Sequence, residues 1–199
     1  MDVAAPYADL MPGLEGPVLE VLAGTTRPLT GRQIQRLARR GGVPGIAATL
    51  TRLVATGIVT AEPAGRAVLY RANREHLAWP VVEAALGLRL ALLDNLSSTI
   101  RAWEVQPDQA TLFGSAARGD GDENSDIDLL LVRDGVATAA WEAQVHDLSE
   151  QVRAWTGNEV QIVDVDATTW RRMVKEADPL VASVAADGID LIAATWRAA

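Results

Sequence analysis

Two short apolar strands, separated by a glycine-containing turn and an acidic loop, lie in the second half of this 199-residue chain. The first strand ends at Gly114-Ser115, and the second starts at a pair of aspartates, Asp126 and Asp128. Because side chains alternate along a strand, both carboxylates point to the same face. Glycine allows a sharp turn, so Ser115 lies at a helix N-terminus whose free N–H groups can hold phosphate. Two carboxylates beside a phosphate cradle predict a Mg²⁺ site that bridges the protein and a nucleotide.

The residues around this motif extend it to Gly114-Ser115-Ala116-Ala117-Arg118-Gly119 and Ser125-Asp126-Ile127-Asp128-Leu129. Over about residues 105–165, the sequence resembles the nucleotidyltransferase superfamily that includes DNA polymerase beta, especially its minimal bacterial members. The resemblance implies an α+β fold with a small mixed sheet. It also implies transfer of a nucleoside monophosphate from an NTP, with ATP as the expected donor, to an acceptor. The expected acceptors are a protein, a tRNA end or a small molecule, and small transferases of this type resemble antitoxin components.

The same resemblance gives each residue of the motif a role. Gly114 and Ser115 would bind the nucleotide phosphates, and Asp126 and Asp128 would be the catalytic carboxylates that hold Mg²⁺. Arg118 would either steady phosphate or pair with nearby acidic residues.

The sequence departs from the superfamily pattern at one position. Active members carry a third carboxylate on a later strand as general base, and Gln161 stands at that position. An amide cannot accept a proton at neutral pH. Glu159 lies on the same strand face and is the substitute candidate base, whereas Asp164 points to the opposite face. Two functions stay open: an active nucleotidyltransferase, or a DNA-binding regulator whose weakened transferase-like domain senses nucleotide or dimerises.

The first half of the chain has the element order of a DNA-binding fold. A short helix is followed by a second helix with Thr30 as N-cap and Gln33 completing a capping box. A third helix runs from Pro44 to Gly57, and two short strands follow. Over about residues 14–76 this order and its sequence resemble the winged helix-turn-helix family of bacterial regulators.

The resemblance implies double-stranded DNA as a partner, with the third helix in a major groove. The residues expected to contact DNA are Arg32, Arg36, Thr49, Arg52, Arg66 and Arg71. The alternative is that this domain serves only for packing or for dimerisation.

Charge separates the two halves of the chain. Residues 17–75 hold nine arginines and three acidic residues, whereas residues 76–199 hold nine basic and twenty acidic residues. A basic segment ahead of an acidic one indicates two domains, the first of which faces a polyanion. With no cysteine, no basic signal-peptide region and no apolar stretch long enough to span a bilayer, a cytoplasmic protein without a membrane partner is expected.

The expected organisation is an α/β two-domain chain. Residues 14–76 form the winged helix-turn-helix domain, residues 77–104 a connecting helix, and residues 105–199 the nucleotidyltransferase-like domain. The connecting helix carries a wide apolar stripe that includes Leu86, Leu93 and Ile100. This stripe fits core packing, and a homodimer is the alternative.

Overall fold

The computed structural model describes residues 1–193, so the last six residues of the predicted 105–199 domain lie outside the described residues. The chain divides into two units. The N-terminal unit is Pro6–Leu88, and the C-terminal unit joins Met1–Ala5 to the chain from Arg89 onward. The C-terminal unit is therefore discontinuous in sequence, because the chain leaves it after Ala5 and returns to it at Arg89.

The N-terminal unit consists of helices around a small antiparallel sheet. A 3₁₀ turn, Pro6–Asp9, precedes the helices α1 (Glu15–Ala23), α2 (Gly31–Ala38), α3 (Val43–Ala55) and α4 (Trp79–Leu86). The strands are β1 (Leu29–Thr30), β2 (Val59–Ala64) and β3 (Ala67–Ala72), in the order β1-β3-β2. Its core includes Val18, Leu22, Ile34, Ile46 and Leu50.

The capping box predicted at the start of α2 is confirmed. The Thr30 hydroxyl accepts a hydrogen bond from the Gln33 N–H at 3.3 Å, and the Thr30 N–H donates to Gln33 Oε1 at 2.8 Å. The predicted helical segment from Pro44 to Gly57 is also present, with Gly57 at a φ of +80° just beyond α3. The sequence predicts these helix ends because the unpaired backbone groups at each end find hydrogen-bond partners only a few positions away.

The C-terminal unit is built on a four-stranded mixed sheet. Its elements are α5 (Leu88–Arg101), β4 (Gln109–Phe113), α6 (Gly114–Arg118), β5 (Ile127–Arg133), α7 (Ala139–Thr156), β6 (Val160–Asp166), α8 (Ala167–Lys175), α9 (Pro179–Asp187) and β7 (Ile189–Asp190). The strand order is β6-β5-β4-β7. Strand β4 runs antiparallel to β5 and β7, and β5 runs parallel to β6. A mixed sheet with helices matches the α+β architecture expected for residues 105–199.

The region predicted as one helix over residues 77–104 is two helices. Helix α4 ends at Leu86, the N–H of the following Gly87 donates to the Glu83 carbonyl, and α5 begins at Leu88. The single apolar stripe serves two cores: Val82 lies in the core of the N-terminal unit, whereas Leu96 lies in that of the C-terminal unit. Glycine is a weak helix former, and the break at Gly87 lies between the residues that pack in the core of the N-terminal unit and those that pack in the core of the C-terminal unit. None of the helices within residues 1–193 is long and apolar enough to cross a membrane.

Candidate active site

The turn after β4 has a backbone conformation that requires glycine. Gly114 has a φ of +69°, a region that residues with a Cβ rarely adopt. A Cβ at this position would also collide with the carboxylate of Asp128. Helix α6 follows with only five residues and ends at Gly119, whose φ is +73°. The Gly-Ser turn and the second aspartate therefore approach each other as closely as backbone and carboxylate allow.

The two aspartates lie at the start of β5, between β4 and β6. Asp128 is opposite Phe113 on one side and Gln161 on the other, and Asp126 immediately precedes the strand. Both side chains are half-buried. Burial raises the pKa of Asp128, the charge of Asp126 raises it further, and the charge of Arg118 opposes the shift. Two neighbouring carboxylates of like charge suit a hard divalent cation such as Mg²⁺.

Replacing Asp128 with asparagine is expected to increase the free energy of unfolding at pH 7 in metal-free buffer. The pKa of Asp128 is raised above its ordinary value of 3.8, so the folded state binds this proton more tightly than the unfolded state does. The stability that protonation contributes is therefore present below the unfolded pKa and lost as pH rises through the folded pKa. Urea unfolding should show a gain for Asp128→Asn at pH 7 that shrinks at pH 3. Exposed Asp134→Asn is the control, and a loss of stability at pH 7 would contradict this account.

The third strand places an amide beside the aspartates. Gln161 Nε2 donates to Asp126 Oδ2 at 2.6 Å, so this side chain orients one of the two carboxylates. Glu159, the candidate base, forms an ion pair with Arg153 of α7 at 3.0 Å and is exposed. Within residues 1–193, no three or more His, Cys, Asp or Glu side chains are grouped so that they could hold a metal ion. The site is therefore a pair of carboxylates with an amide in the third position.

Asp164, the remaining acid of β6, has a structural role on the opposite face. Its carboxylate accepts hydrogen bonds from Arg133 Nε at 3.1 Å and from Trp141 Nε1 at 3.0 Å. These bonds tie β5, β6 and α7 together. Asp164 is thereby engaged away from the aspartate pair, as the alternation along the strand predicts.

The acidic loop after α6 lies against the same turn. Arg118 Nε donates to Asp120 at 3.0 Å, and its Nη1 lies 3.7 Å from Asp187. Of the two roles left open for Arg118, the structure therefore contains the pairing with local acids. A Cβ at Gly121 would lie 3.2 Å from the Ser115 hydroxyl, so the loop passes directly over the serine. The loop thus lies over the proposed phosphate-binding turn.

The sequence pattern does not predict two residues that hold the backbone near the site. Arg89 donates to the carbonyls of Ala116 and Ala117 at the end of α6, and Asn158 donates to the carbonyl of Ser125 before the aspartates. Neither belongs to a local motif, and their partners lie 27 to 33 positions away in sequence. Only the fold reveals them.

In the N-terminal unit, the residues expected to contact DNA lie in different places. Arg32 and Arg66 line one cavity of about 530 Å³ whose walls include Val43 and Ala47 of α3. Arg71 lines a separate cavity, and Arg36 is exposed on α2.

Two of the expected DNA contacts on α3 are engaged within the N-terminal unit. Arg52 forms an ion pair with Glu15 of α1. The expectation for Thr49 needs correction, since its exposed fraction is only 6% and it cannot meet a groove from there. Thr49 follows Ile46 by three positions and precedes Leu53 by four, which places it on the buried face of α3.

Comparison with curated proteins finds no match for the chain. Among solved structures, one similar chain is described as a crystal structure of a toxin-antitoxin with AMP-PNP. It shares 19% identity and a TM-score of 0.36, over 52% of this chain and 76% of that chain. Another is TrmBL2, described as an archaeal chromatin protein with a novel mode of DNA binding. It shares 14% identity and a TM-score of 0.29, over 86% of this chain and 71% of that chain.

A family model described as "Polymerase beta, Nucleotidyltransferase" matches residues 98–180. The matched range contains the Gly114 turn, both aspartates and Gln161. This match supports a nucleotidyltransferase-type function for the C-terminal unit.

Proposed function

We propose that the C-terminal unit is a Mg²⁺-dependent nucleotidyltransferase, and that residues 14–76 form a winged-helix domain that binds double-stranded DNA. The observation that carries the first part is the close approach of the Gly114 turn to the Asp128 carboxylate. That approach brings backbone N–H groups of the kind that bind phosphate next to a pair of carboxylates of the kind that bind a divalent metal ion. ATP is the expected nucleotide, and a protein or a tRNA end is the expected acceptor.

The reaction follows from this arrangement. Ser115 and the backbone N–H groups after Gly114 would bind the triphosphate, and Asp126 and Asp128 would hold Mg²⁺. The metal ion, when bound, neutralises charge that develops on the phosphate oxygens. An acceptor hydroxyl attacks the α-phosphorus, the bond to the β-phosphate oxygen breaks, and pyrophosphate leaves. Gln161 keeps Asp126 oriented through its 2.6 Å hydrogen bond.

Among residues 1–193, no third carboxylate is grouped with Asp126 and Asp128 to take the proton of the acceptor. Gln161 cannot take it, and Glu159 is exposed and forms an ion pair with Arg153. This favours a second candidate function, in which the C-terminal unit binds Mg²⁺ and nucleotide, transfers slowly or not at all, and reports nucleotide to a DNA-binding domain. Loss of a general base alone lowers rates by about 10²–10⁴-fold, so slow transfer is compatible with an otherwise complete site.

One assay separates the two functions. The full chain is incubated with each α-³²P-labelled NTP and Mg²⁺, and cell extract supplies the acceptors. Label on a protein or an RNA band establishes transfer and names the acceptor class. If no band appears but nucleotide binding depends on Mg²⁺, the unit is a sensor. Absence of both transfer and binding would refute both functions.

The DNA-binding proposal rests on charge and on the position of the arginines. Nine arginines lie within residues 17–75, and none of the nine is buried. Arg32 at the start of α2 and Arg66 in the β2–β3 turn line the same cavity beside α3. In a winged-helix complex these positions flank the helix that enters the groove, where arginines hold phosphates.

Replacing Arg32 or Arg66 with alanine is expected to weaken DNA binding at every sequence tested. Each contact to a phosphate contributes about 0.9 to the slope of log K against log[salt], so each variant should lower that slope by about one. Fluorescence anisotropy with duplex DNA between 50 and 200 mM salt measures both quantities. Arg27→Ala removes the same charge from an exposed position outside the cavity. An equal effect of all three substitutions would show that only net charge matters.

A further inference from the structure

One arginine of the C-terminal unit donates its hydrogen bonds to uncharged backbone carbonyls. Arg89 is half-buried, and burial lowers its pKa. Its Nη1 donates to Ala116 at 2.8 Å and to Val3 at 3.0 Å, and its Nη2 donates to Ala117 at 2.9 Å, in each case to the backbone carbonyl. A partly desolvated cation is costly unless its donors are hydrogen-bonded, as those of Arg89 are. Here they hold the end of α6.

Helix α6 cannot hold its own end. It has five residues, so its last carbonyls have no partners within the helix. The Ser115 carbonyl accepts from Gly119 N–H at 2.9 Å. The carbonyls of the next two residues, Ala116 and Ala117, accept hydrogen bonds from Arg89. The turn that opens with Gly114 is thus anchored at its far end by one side chain from α5.

A buried asparagine, Asn158, lies on the other side of the site. Asn158 is only 4% exposed, and its Nδ2 donates to the Ser125 carbonyl at 2.9 Å. The same amide donates to the Met1 carbonyl at 3.1 Å and accepts from the Met1 nitrogen at 3.0 Å. Ser125 directly precedes Asp126. Asn158 therefore fixes the backbone from which the first aspartate projects.

Both anchors end on the same N-terminal segment, residues 1–5. Val3, whose carbonyl binds Arg89, is 1% exposed and lies in the core of the C-terminal unit. Met1, which binds Asn158, packs against the same core. The two sides of the candidate site are therefore connected through a segment that the sequence places more than 80 residues away from either.

We propose that Arg89 and Asn158 are positioning residues for nucleotide and metal, and that the N-terminal segment completes both anchors. Arg89 fixes the phosphate-binding turn, and Asn158 fixes the metal-binding strand start. The proposal rests on the proposed function. Because each anchor holds a different side of the site, their losses have different consequences, which a general loss of stability would not produce.

The test uses the full chain with two probes, Mn²⁺ alone followed by electron paramagnetic resonance, and the fluorescent nucleotide mant-ATP with Mg²⁺. Arg89→Met should weaken mant-ATP binding about tenfold and leave Mn²⁺ binding within about twofold. Asn158→Ala should weaken Mn²⁺ binding by about tenfold. These sizes correspond to loss of an outer-shell partner, which costs about 10–100-fold. Arg89→Lys, which keeps a donor and the charge, should restore part of the mant-ATP affinity.

The matched control is Arg101→Met. Arg101 lies on the same helix and also donates to a backbone carbonyl, that of Ile192 at 2.7 Å, which lies outside the motif. Its variant should lower the Tm without changing either affinity. If Arg89→Met does not fold, Arg89→Lys alone carries the test, with a mant-ATP affinity below that of the wild type.

The outcomes separate the two proposals. If the wild type binds neither Mn²⁺ nor mant-ATP, the proposed function fails, and the positioning roles of Arg89 and Asn158 fail with it. If wild type binds both and the folded Arg89 and Asn158 variants bind like Arg101→Met, the proposed function stands and the positioning roles are refuted. Parallel weakening of both probes by both variants also refutes them, since it indicates only a less stable unit.

Discussion

Replacing Asp126 and Asp128 together with asparagine is expected to abolish Mg²⁺-dependent nucleotide binding and any nucleotide transfer. Asparagine keeps the shape of each side chain and its place at the start of β5, but it removes both negative charges. Metal-assisted charge stabilisation contributes several kcal/mol to phosphoryl transfer, so transfer should fall at least about 10³-fold. The readouts are label transfer from α-³²P NTP and Mn²⁺ binding by electron paramagnetic resonance.

The control for this variant is Asp134→Asn/Asp147→Asn. Both control residues are exposed acids of the C-terminal unit, so the net charge changes equally. The control should bind Mn²⁺ and nucleotide like wild type. Retention of metal-dependent binding by the Asp126/Asp128 variant would show that the metal site lies elsewhere, whichever of the two functions the unit performs.

Gly114→Ala is expected to be the most damaging single substitution of a small residue in the motif. An alanine must adopt a φ of +69°, which costs about 1–2 kcal/mol for a residue with a Cβ. Its methyl group must also displace the Asp128 carboxylate. We expect a total destabilisation of about 2–5 kcal/mol, since steric overlap at a packed position adds about 1–3 kcal/mol to the backbone cost. Mn²⁺ affinity should fall with it.

Gly135→Ala separates strain from collision. Gly135 has a φ of +61°, and a Cβ there would meet nothing within 4 Å. Urea unfolding should therefore show the backbone cost alone for Gly135→Ala, and Mn²⁺ binding should be unchanged. Equal destabilisation of the two variants, with intact Mn²⁺ binding in both, would show that the approach of Gly114 to Asp128 is not part of the site.

The helix ends and the central motif are the features that the sequence predicted best. Thr30 and Gln33 form a capping box whose bonds span three residues. The alternation of β5 places Asp126 and Asp128 together because strand geometry has a fixed period of two. Such features depend on neighbours in sequence, and their physics is the same in any fold.

Features that depend on distant partners are not predicted by local sequence patterns. The resemblance to winged-helix proteins predicts Thr49 as a DNA contact on α3, but its position in the apolar stripe of that helix buries it. The predicted helix over residues 77–104 is interrupted at Gly87, since its two halves pack in different cores. The roles of Glu159 and Gln161 depended on which side chain reaches Asp126, and only the register of β5 and β6 fixes that.

The chemical groups of the candidate site follow from local sequence alone. Local sequence places two carboxylates on one strand face, because side chains alternate along a strand. It also places a glycine at the preceding turn, where a sharp bend is needed, and an amide on the next strand. The tertiary structure decided how these groups are held. Arg89 and Asn158 reach backbone atoms up to 157 positions away, and such contacts depend on chain topology rather than on any local pattern.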